Sequence, residues 1–403
     1  MRSGTRVGHC RTSALAIAVG LLALAAPCTP AQADTIRSRQ WHLDAMHAEE
    51  MWQVSTGKGV TVAVIDTGVD RTLPDLAGQV VGGRDFAQEP GDAYTDNFKH
   101  GTGIAVLIAG TGKRGDDNAS FGLAPGAKII SLRVPDGTEA NSQAQGVRNF
   151  SSAVSKAIRY AADGDAKIIN ISMGQSEDSP EIADAVRYAM SKGKLIFAGV
   201  GNSGEKGNPV QYPAATPGVV GVAAVDKDSQ ATRESERGPQ VDLAAPGDEM
   251  VAACAGGTEL CKSHGTSDAT ALASASAALI WSVHPEWTAN QVTRVLINTA
   301  GAPQSGERRS DSIGYGIVRP RIALQNPGDP GPADVNPLPG PPAGAAAPEP
   351  GARSGGAPQK TAADRPSRSG TTTWVVIGGA AAVVIAAAVG VPVLMDRRRR
   401  NRT

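Results

Sequence analysis

Short apolar runs alternate with longer helical runs through the middle of the chain, and this alternation constrains the fold more than any other feature. Five runs of mostly apolar residues have the composition of buried strands, at residues 59–65, 128–134, 167–173, 194–199 and 219–225. Four helical runs lie between or after them, at residues 143–162, 180–192, 266–283 and 288–299. Nearly continuous apolar strands are typical of a parallel sheet that is covered on both faces. The alternation therefore predicts a doubly wound α/β domain with a mostly parallel sheet, at about residues 34–325.

The first 33 residues have the layout of a secretory signal peptide. They contain Arg2, Arg6 and Arg11 and no acidic residue, and an apolar run follows over residues 14–26. The small residues of Ala31-Gln32-Ala33 then provide a cleavage site. We therefore expect residues 1–33 to be removed on export, with a short buried helix at the start of the domain as the alternative.

The other end of the chain has the pattern of a membrane anchor. Residues 374–395 are 22 uncharged residues, and at ~1.5 Å per residue a helix of this length crosses a bilayer. Five arginines follow within residues 397–402, and such a basic flank stays in the cytoplasm. The sequence predicts a transmembrane helix at residues 371–396, a cytoplasmic tail at residues 397–403, and a single-pass cell-membrane protein whose main domain is extracellular. A cell-wall sorting signal is disfavoured because residues 365–370 do not form an LPxTG-type motif.

A Pro-rich segment separates the domain from this anchor. Residues 326–370 hold 11 Pro in 45 residues and almost no large apolar side chains, so they cannot bury a core. We expect an extended spacer, with a partner-binding Pro-rich segment as the alternative.

The charge of the chain does not favour a nucleic-acid partner. The whole chain balances 39 Lys and Arg against 39 Asp and Glu. Without the predicted signal peptide and without residues 396–403, 31 basic and 38 acidic residues remain, which is a net charge of −7. Such a surplus suits solubility outside the cell, whereas nucleic-acid binding depends on neutralising phosphates.

Three short segments carry candidate catalytic side chains. Asp66 follows the strand at 59–65, at the sheet edge where ligands bind, although an Asp there is also commonly a turn cap. His100 precedes an apolar helical run, and Gly101 beside it allows a close approach of backbone or substrate. Ser267 lies at the start of a helix, where it could be a simple N-cap but where the helix dipole also favours developing negative charge. Asp, His and Ser in this chain order are one known arrangement of a serine protease triad.

With these motifs the chain resembles the subtilisin-like serine protease family. Asp66-Thr67-Gly68, His100-Gly101-Thr102 and Gly265-Thr266-Ser267 match its three signatures, and the resemblance extends from about residue 41 to residue 324. It implies that Ser267 is the nucleophile, that His100 is the general base and that Asp66 orients His100. It also implies that the chemistry requires no metal or cofactor.

The same resemblance assigns the parts that bind substrate. It makes Asn202 the oxyanion-hole residue, and it places the substrate backbone along the segment that contains Ser172 and Gly174. The chain departs from the family pattern at three positions near the site, where Gly103, Val106 and Asp268 stand. We expect these departures to change packing and pocket shape without removing a catalytic group.

The organisation of the whole chain resembles one subgroup, the mycosins, which are membrane-anchored proteases associated with type VII secretion. The shared features are a signal peptide, no long propeptide before Trp41, a Pro-rich linker, a membrane helix and a basic tail. The resemblance implies an extracellular serine endopeptidase with protein or peptide substrates and a type VII secretion membrane complex as partner. Two alternatives remain: a surface-anchored degradative protease, and a structural subunit of a secretion complex with a vestigial triad.

Two cysteines remain in the predicted exported part. Cys254 and Cys261 lie seven positions apart, shortly before Ser267. In an oxidising compartment such a pair is expected to form a disulfide. The sequence therefore predicts a disulfide that closes a short loop in front of the candidate nucleophile.

Overall fold

The computed structural model describes residues 35–339, apart from residues 116–117, 136–139 and 255–259, together with Met1 and Gly4. Except for those two residues, the predicted signal peptide lies outside this part of the chain. The predicted membrane helix, the basic tail and residues 340–370 of the predicted linker also lie outside it. None of the helices within the described residues is long and apolar enough to cross a membrane.

A seven-stranded parallel sheet forms the centre of the domain, in the order β2-β3-β1-β4-β5-β6-β7, and β8 and β9 form a separate antiparallel pair. The strands are β1 (Thr61–Asp66), β2 (Val80–Asp85), β3 (Lys128–Arg133), β4 (Ile168–Ile171), β5 (Leu195–Gly199), β6 (Val220–Val225), β7 (Leu243–Pro246), β8 (Met250–Ala253) and β9 (Leu260–Ser263). The predicted α/β fold with a mostly parallel sheet is confirmed.

Helices cover both faces of this sheet. They are α1 (Ile36–Arg39), α2 (Trp41–Ala45), α3 (Ala48–Trp52), α4 (His100–Ala109), α5 (Gln143–Asp163), α6 (Pro180–Ser191), α7 (Thr266–Val283), α8 (Ala289–Thr299) and α9 (Pro320–Gln325), with a 3-10 turn at Pro74–Leu76. Successive strand residues point to opposite faces. In β1, Val62 and Val64 therefore belong to the core that includes α4, α7 and α8. Ala63 and Ile65 belong to the core that includes α5 and α6.

Side-chain caps determine where several helices begin. Ser142 and Ser179 each accept a hydrogen bond from the backbone N–H three residues on, at the starts of α5 and α6. Thr288 and Gln291 form a reciprocal capping box at the start of α8. These caps satisfy N–H groups that have no partner inside the helix. The local sequence thus explains why the observed starts lie within one residue of the predicted ones.

The beginning of the predicted linker packs against α8. The guanidinium of Arg294 donates to the main-chain oxygens of Pro330, Pro332 and Val335 at 2.6, 3.1 and 2.6 Å. The Gln291 side chain also donates to a main-chain oxygen of this segment. The chain therefore stays on the surface of the domain for about ten residues beyond α9.

Candidate active site

Parallel pairing brings the candidate site residues to one edge of the sheet. Asp66 is the last residue of β1, and Ser172 directly follows β4. Asn202 follows β5, three residues after its end. The first turns of α4 and α7 carry His100 and Ser267 to the same edge. Ligands bind outside the carboxyl ends of the strands in sheets of this kind.

Asp66 and His100 form a short hydrogen bond. The distance from His100 Nδ1 to Asp66 Oδ1 is 2.6 Å, and Asp66 is fully buried. Burial alone would lower the pKa of His100, but the charge and hydrogen bond of Asp66 outweigh it and raise the pKa above its usual 6.5. The arrangement favours the imidazolium form and leaves Nε2 as the ring nitrogen that can exchange a proton with a substrate or nucleophile.

Asp96 links the two segments that carry this pair, and the sequence did not single it out. Its Oδ1 accepts from the Thr67 hydroxyl at 2.8 Å, and its Oδ2 accepts from the N–H and hydroxyl of Thr102 at 2.8 and 2.6 Å. Asp96 thereby joins the loop after β1 to the first turn of α4. A polar loop surrounds Asp96 in the sequence, so nothing there distinguishes it from an exposed loop acid.

Ser267 forms a reciprocal contact with Ser172. The Ser267 hydroxyl donates to the main-chain oxygen of Ser172 at 2.9 Å, and the Ser172 hydroxyl donates to the main-chain oxygen of Ser267 at 3.0 Å. The hydroxyl of Ser267 is thus directed at Ser172 in this structure. To reach His100 it must rotate away from that carbonyl.

Asn202 is oriented by the start of α7. Its Oδ1 accepts from the Thr266 N–H at 2.9 Å, which leaves both Nδ2 hydrogens for another acceptor. A cavity of about 180 Å³ adjoins this amide and is lined by Ser172, Gly199 and Ser267, among others. An oxygen that gains negative charge there would meet the amide and the N-terminal N–H groups of α7.

Ser172 and Gly174 lie between this cavity and a second one. The second cavity, of about 530 Å³, is lined by His100 and by apolar side chains that include Phe98, Val147, Phe150 and Met173. Ser172 and Gly174 contribute to both linings. An extended segment flanked by two cavities can pair with another extended chain and receive its side chains alternately.

Asp268, directly after Ser267, has a buried carboxyl group. It is 4% exposed, and the Ser263 hydroxyl donates to its Oδ1 at 3.0 Å. Within the described residues its Oδ2 has no hydrogen-bond partner. Burial raises the pKa of Asp268 from 3.8 to about 6, against the opposing effects of Ser263 and His100.

Cys254 and Cys261 lie in the hairpin that precedes α7. Their Cα atoms are 5.3 Å apart and their sulfur atoms lie at bonding distance. This Cα separation is within the usual range of a disulfide. Among the described residues, no three His, Cys, Asp or Glu side chains come together as a metal site would require.

Comparison with protein families gives one match that spans most of the domain. The model of the Peptidase S8 Subtilase family matches residues 57–316. Thermitase of Thermoactinomyces vulgaris is 35% identical over 210 residues, which are 52% of this chain and 71% of thermitase. Subtilisin E of Bacillus subtilis is 35% identical over 247 residues, and the match spans 61% of each protein.

Among solved structures, similar folds include a protease of a secretion system. The MycP3 protease from the type VII (ESX-3) secretion system matches with a TM-score of 0.60 and 35% identity. The match covers 70% of this chain and 87% of MycP3. The similarity to the mycosins predicted from the sequence is therefore confirmed at the level of the fold and the sequence.

Proposed function

Because the chain belongs to the Peptidase S8 subtilase family of serine proteases, we propose that it hydrolyses peptide bonds with Asp66, His100 and Ser267. The observation that carries this proposal is the meeting of three features at one sheet edge. These are the 2.6 Å bond between Asp66 and His100, the position of Ser267 in the first turn of α7, and the oriented amide of Asn202. Together they supply a base, a nucleophile and an oxyanion donor.

The reaction begins when substrate frees the Ser267 hydroxyl. An extended peptide lying along residues 172–174 offers its own N–H to the Ser172 carbonyl, which the Ser267 hydroxyl occupies in the free protein. The released hydroxyl turns to His100 Nε2 and attacks the scissile carbonyl carbon while its proton passes to the imidazole. Asp66 keeps His100 oriented and stabilises the imidazolium.

The oxygen of the tetrahedral intermediate is held by Asn202 Nδ2 and the Ser267 N–H. The C–N bond then breaks, and the imidazolium of His100 gives its proton to the leaving amine. Water attacks the acyl-enzyme with His100 again as base, which releases the acid product and restores Ser267. A donor such as Asn202 contributes about 10²- to 10³-fold to the rate.

We further assign the activity to a membrane-anchored, mycosin-type endopeptidase that acts with a type VII secretion system. The support is the similarity to MycP3 and the predicted signal peptide, linker and membrane helix at residues 371–396. In this arrangement the protease domain is extracellular and the tail at residues 397–403 is cytoplasmic. The apolar lining around Phe98 and Phe150 suits extended segments of protein substrates with apolar side chains.

The test compares full-length wild type with Ser267→Ala in the native host. Mass spectrometry of secreted proteins should show a few new N-termini that depend on Ser267. Broad digestion of casein and of most secreted proteins would instead indicate a degradative protease. A third outcome would indicate a structural subunit: secretion fails without the chain, Ser267→Ala restores it fully, and no new N-termini depend on Ser267.

A further inference from the structure

Glu236 is a buried acid that lies against the loop carrying Asn202. We call residues 201–204 the oxyanion loop. The N–H of Glu236 donates to the main-chain oxygen of Gly201 at 3.0 Å, and its Oε1 accepts from the Ser203 N–H at 3.2 Å. One residue therefore binds the backbone immediately before and immediately after Asn202.

The space for this carboxyl exists because residue 201 is a glycine. Gly201 has φ +111°, and a Cβ there would lie 2.5 Å from both Cδ and Oε2 of Glu236. It would also lie 2.5 Å from Cγ of Gln211, which lines the cavity beside Asn202. The Glu236 carboxyl is thus packed closely against Gly201 in the oxyanion loop, although Glu236 does not line the cavity itself.

A carboxyl in this place is costly to keep. Glu236 is 0% exposed, and its Oε2 has no hydrogen-bond partner within the described residues. Burial raises its pKa from 4.5 to about 7, against the opposing effects of the Ser203 N–H and the Gln211 side chain. An apolar residue of similar volume would avoid this penalty but would leave the Ser203 N–H without an acceptor.

We propose that Glu236 is a positioning residue for the oxyanion hole, which fixes the peptide units on both sides of Asn202 so that Nδ2 points at the forming oxyanion. Asn202 is exposed, so neighbouring side chains do not enclose it. Its direction depends on the Thr266 N–H at one end and on the backbone of the oxyanion loop at the other. The inference rests on the proposed role of Asn202 in proteolysis.

The expected effect is on the chemical step. Glu236→Leu removes the acceptor and should lower kcat about 10- to 100-fold with KM nearly unchanged, because oxyanion stabilisation is realised in the transition state. The loss is bounded by that of Asn202→Ala, about 10²- to 10³-fold. Glu236→Gln keeps an acceptor oxygen and loses only the charge, so we expect a smaller loss of about 3- to 10-fold.

A double-mutant cycle with Asn202→Ala tests the inference. The full-length protein is assayed with a fluorogenic peptide bearing apolar residues, at equal concentrations of folded protein. In the Asn202→Ala background, either substitution of Glu236 should change kcat less than about 2-fold, because the amide that it positions is gone. Glu234→Ala is the matched control, since its side chain binds His264 and not the oxyanion loop.

Equal losses in both backgrounds would overturn the positioning role while leaving the protease proposal intact. An inactive wild type would overturn both. An Asn202→Ala variant as fast as wild type would overturn the oxyanion role of Asn202 and the positioning role of Glu236, while the protease proposal would stand. Folding of Glu236→Leu is judged by its unfolding midpoint in a Ser267→Ala background. If it does not fold, the kcat values of Glu236→Gln with and without Asn202→Ala give the same comparison.

Discussion

The glycine after His100 gives a quantitative test of how tightly the catalytic pair is packed. A Cβ on Gly101 would lie 2.2 Å from the main-chain oxygen of Gly68 and 3.1 Å from Asp66 Oδ1. Ordinary contacts begin at 3.4 Å, so α4 and the loop after β1 must separate by about 1.2 Å. Asp66 Oδ1 is the atom that accepts from His100, and the substitution Gly101→Ala therefore acts directly on the pair.

The expected magnitude follows from that displacement. A misplacement of about 1 Å at a catalytic group costs on the order of 10² in rate. Complete loss of the function of the Asp would cost about 10⁴. We predict that kcat/KM falls about 10²-fold in Gly101→Ala. Overpacking costs about 1–3 kcal/mol and the gain in helix propensity returns up to about 1 kcal/mol, so the net loss of stability is about 0–3 kcal/mol.

Gly103→Ala is the matched control on the same helix. A Cβ there meets nothing within 4 Å, so we expect unchanged activity and a gain in stability of up to about 1 kcal/mol. Rates are measured with a fluorogenic peptide, and unfolding is followed by circular dichroism in a Ser267→Ala background that prevents self-digestion. If folded Gly101→Ala keeps a third or more of the wild-type kcat/KM, the close packing of the pair does not control its function.

Three further substitutions test other parts of the site. Asp268→Asn removes a carboxylate that raises the pKa of His100. Activity requires neutral His100, so the rise of kcat/KM with pH should move to lower pH in this variant. An unchanged pH profile would contradict this. Burial raises the pKa of Asp268 from 3.8 to about 6, so the stability of the wild type falls as the pH rises through this range and stays lower above it. The same variant should therefore gain up to about 3 kcal/mol at pH 8 in denaturant unfolding. Asp96→Ala removes the acceptor of three hydrogen bonds, and we expect about 2 kcal/mol less stability and at least 10-fold lower kcat/KM; unchanged activity would assign Asp96 a purely structural role. Replacing Cys254 and Cys261 by Ser opens a loop of sequence separation 7 and should lower the free energy of unfolding by about 2.5 kcal/mol. Thiol alkylation and mass spectrometry of the exported wild type should find that neither cysteine reacts. Free thiols would refute the disulfide.

The sequence predicted the parts of the fold that local patterns determine. All five predicted strands and all four predicted helices are present, because strands buried on both faces are continuously apolar and three of the four helices begin at a side-chain cap. The predictions missed four strands, which are β2 (Val80–Asp85), β7 (Leu243–Pro246), β8 (Met250–Ala253) and β9 (Leu260–Ser263). Of these, β2 lies at the edge of the sheet, is only partly buried and contains Gly82 and Gly83. An edge strand of this kind lacks the apolar run that identified the others.

Contacts between loops that are distant in the chain could not be predicted from the sequence. The three motifs predicted which residues gather at the site, and the structure places Asp66 and His100 in contact there. Asp96 and Glu236 look like ordinary loop acids in the sequence, because their partners are set by how the connections after different strands pack. The contact of the Ser267 hydroxyl with Ser172 depends on a side-chain rotation, which no residue pattern specifies.

The most direct test of the proposed chemistry is the covalent labelling of Ser267. Folded full-length protein is treated with a fluorophosphonate, and the modified residue is located by tandem mass spectrometry. We predict a single adduct on Ser267, absent in Ser267→Ala and formed orders of magnitude more slowly in His100→Ala. A folded wild type without an adduct, or with an adduct on another residue, would contradict the assignment of Ser267 as the nucleophile.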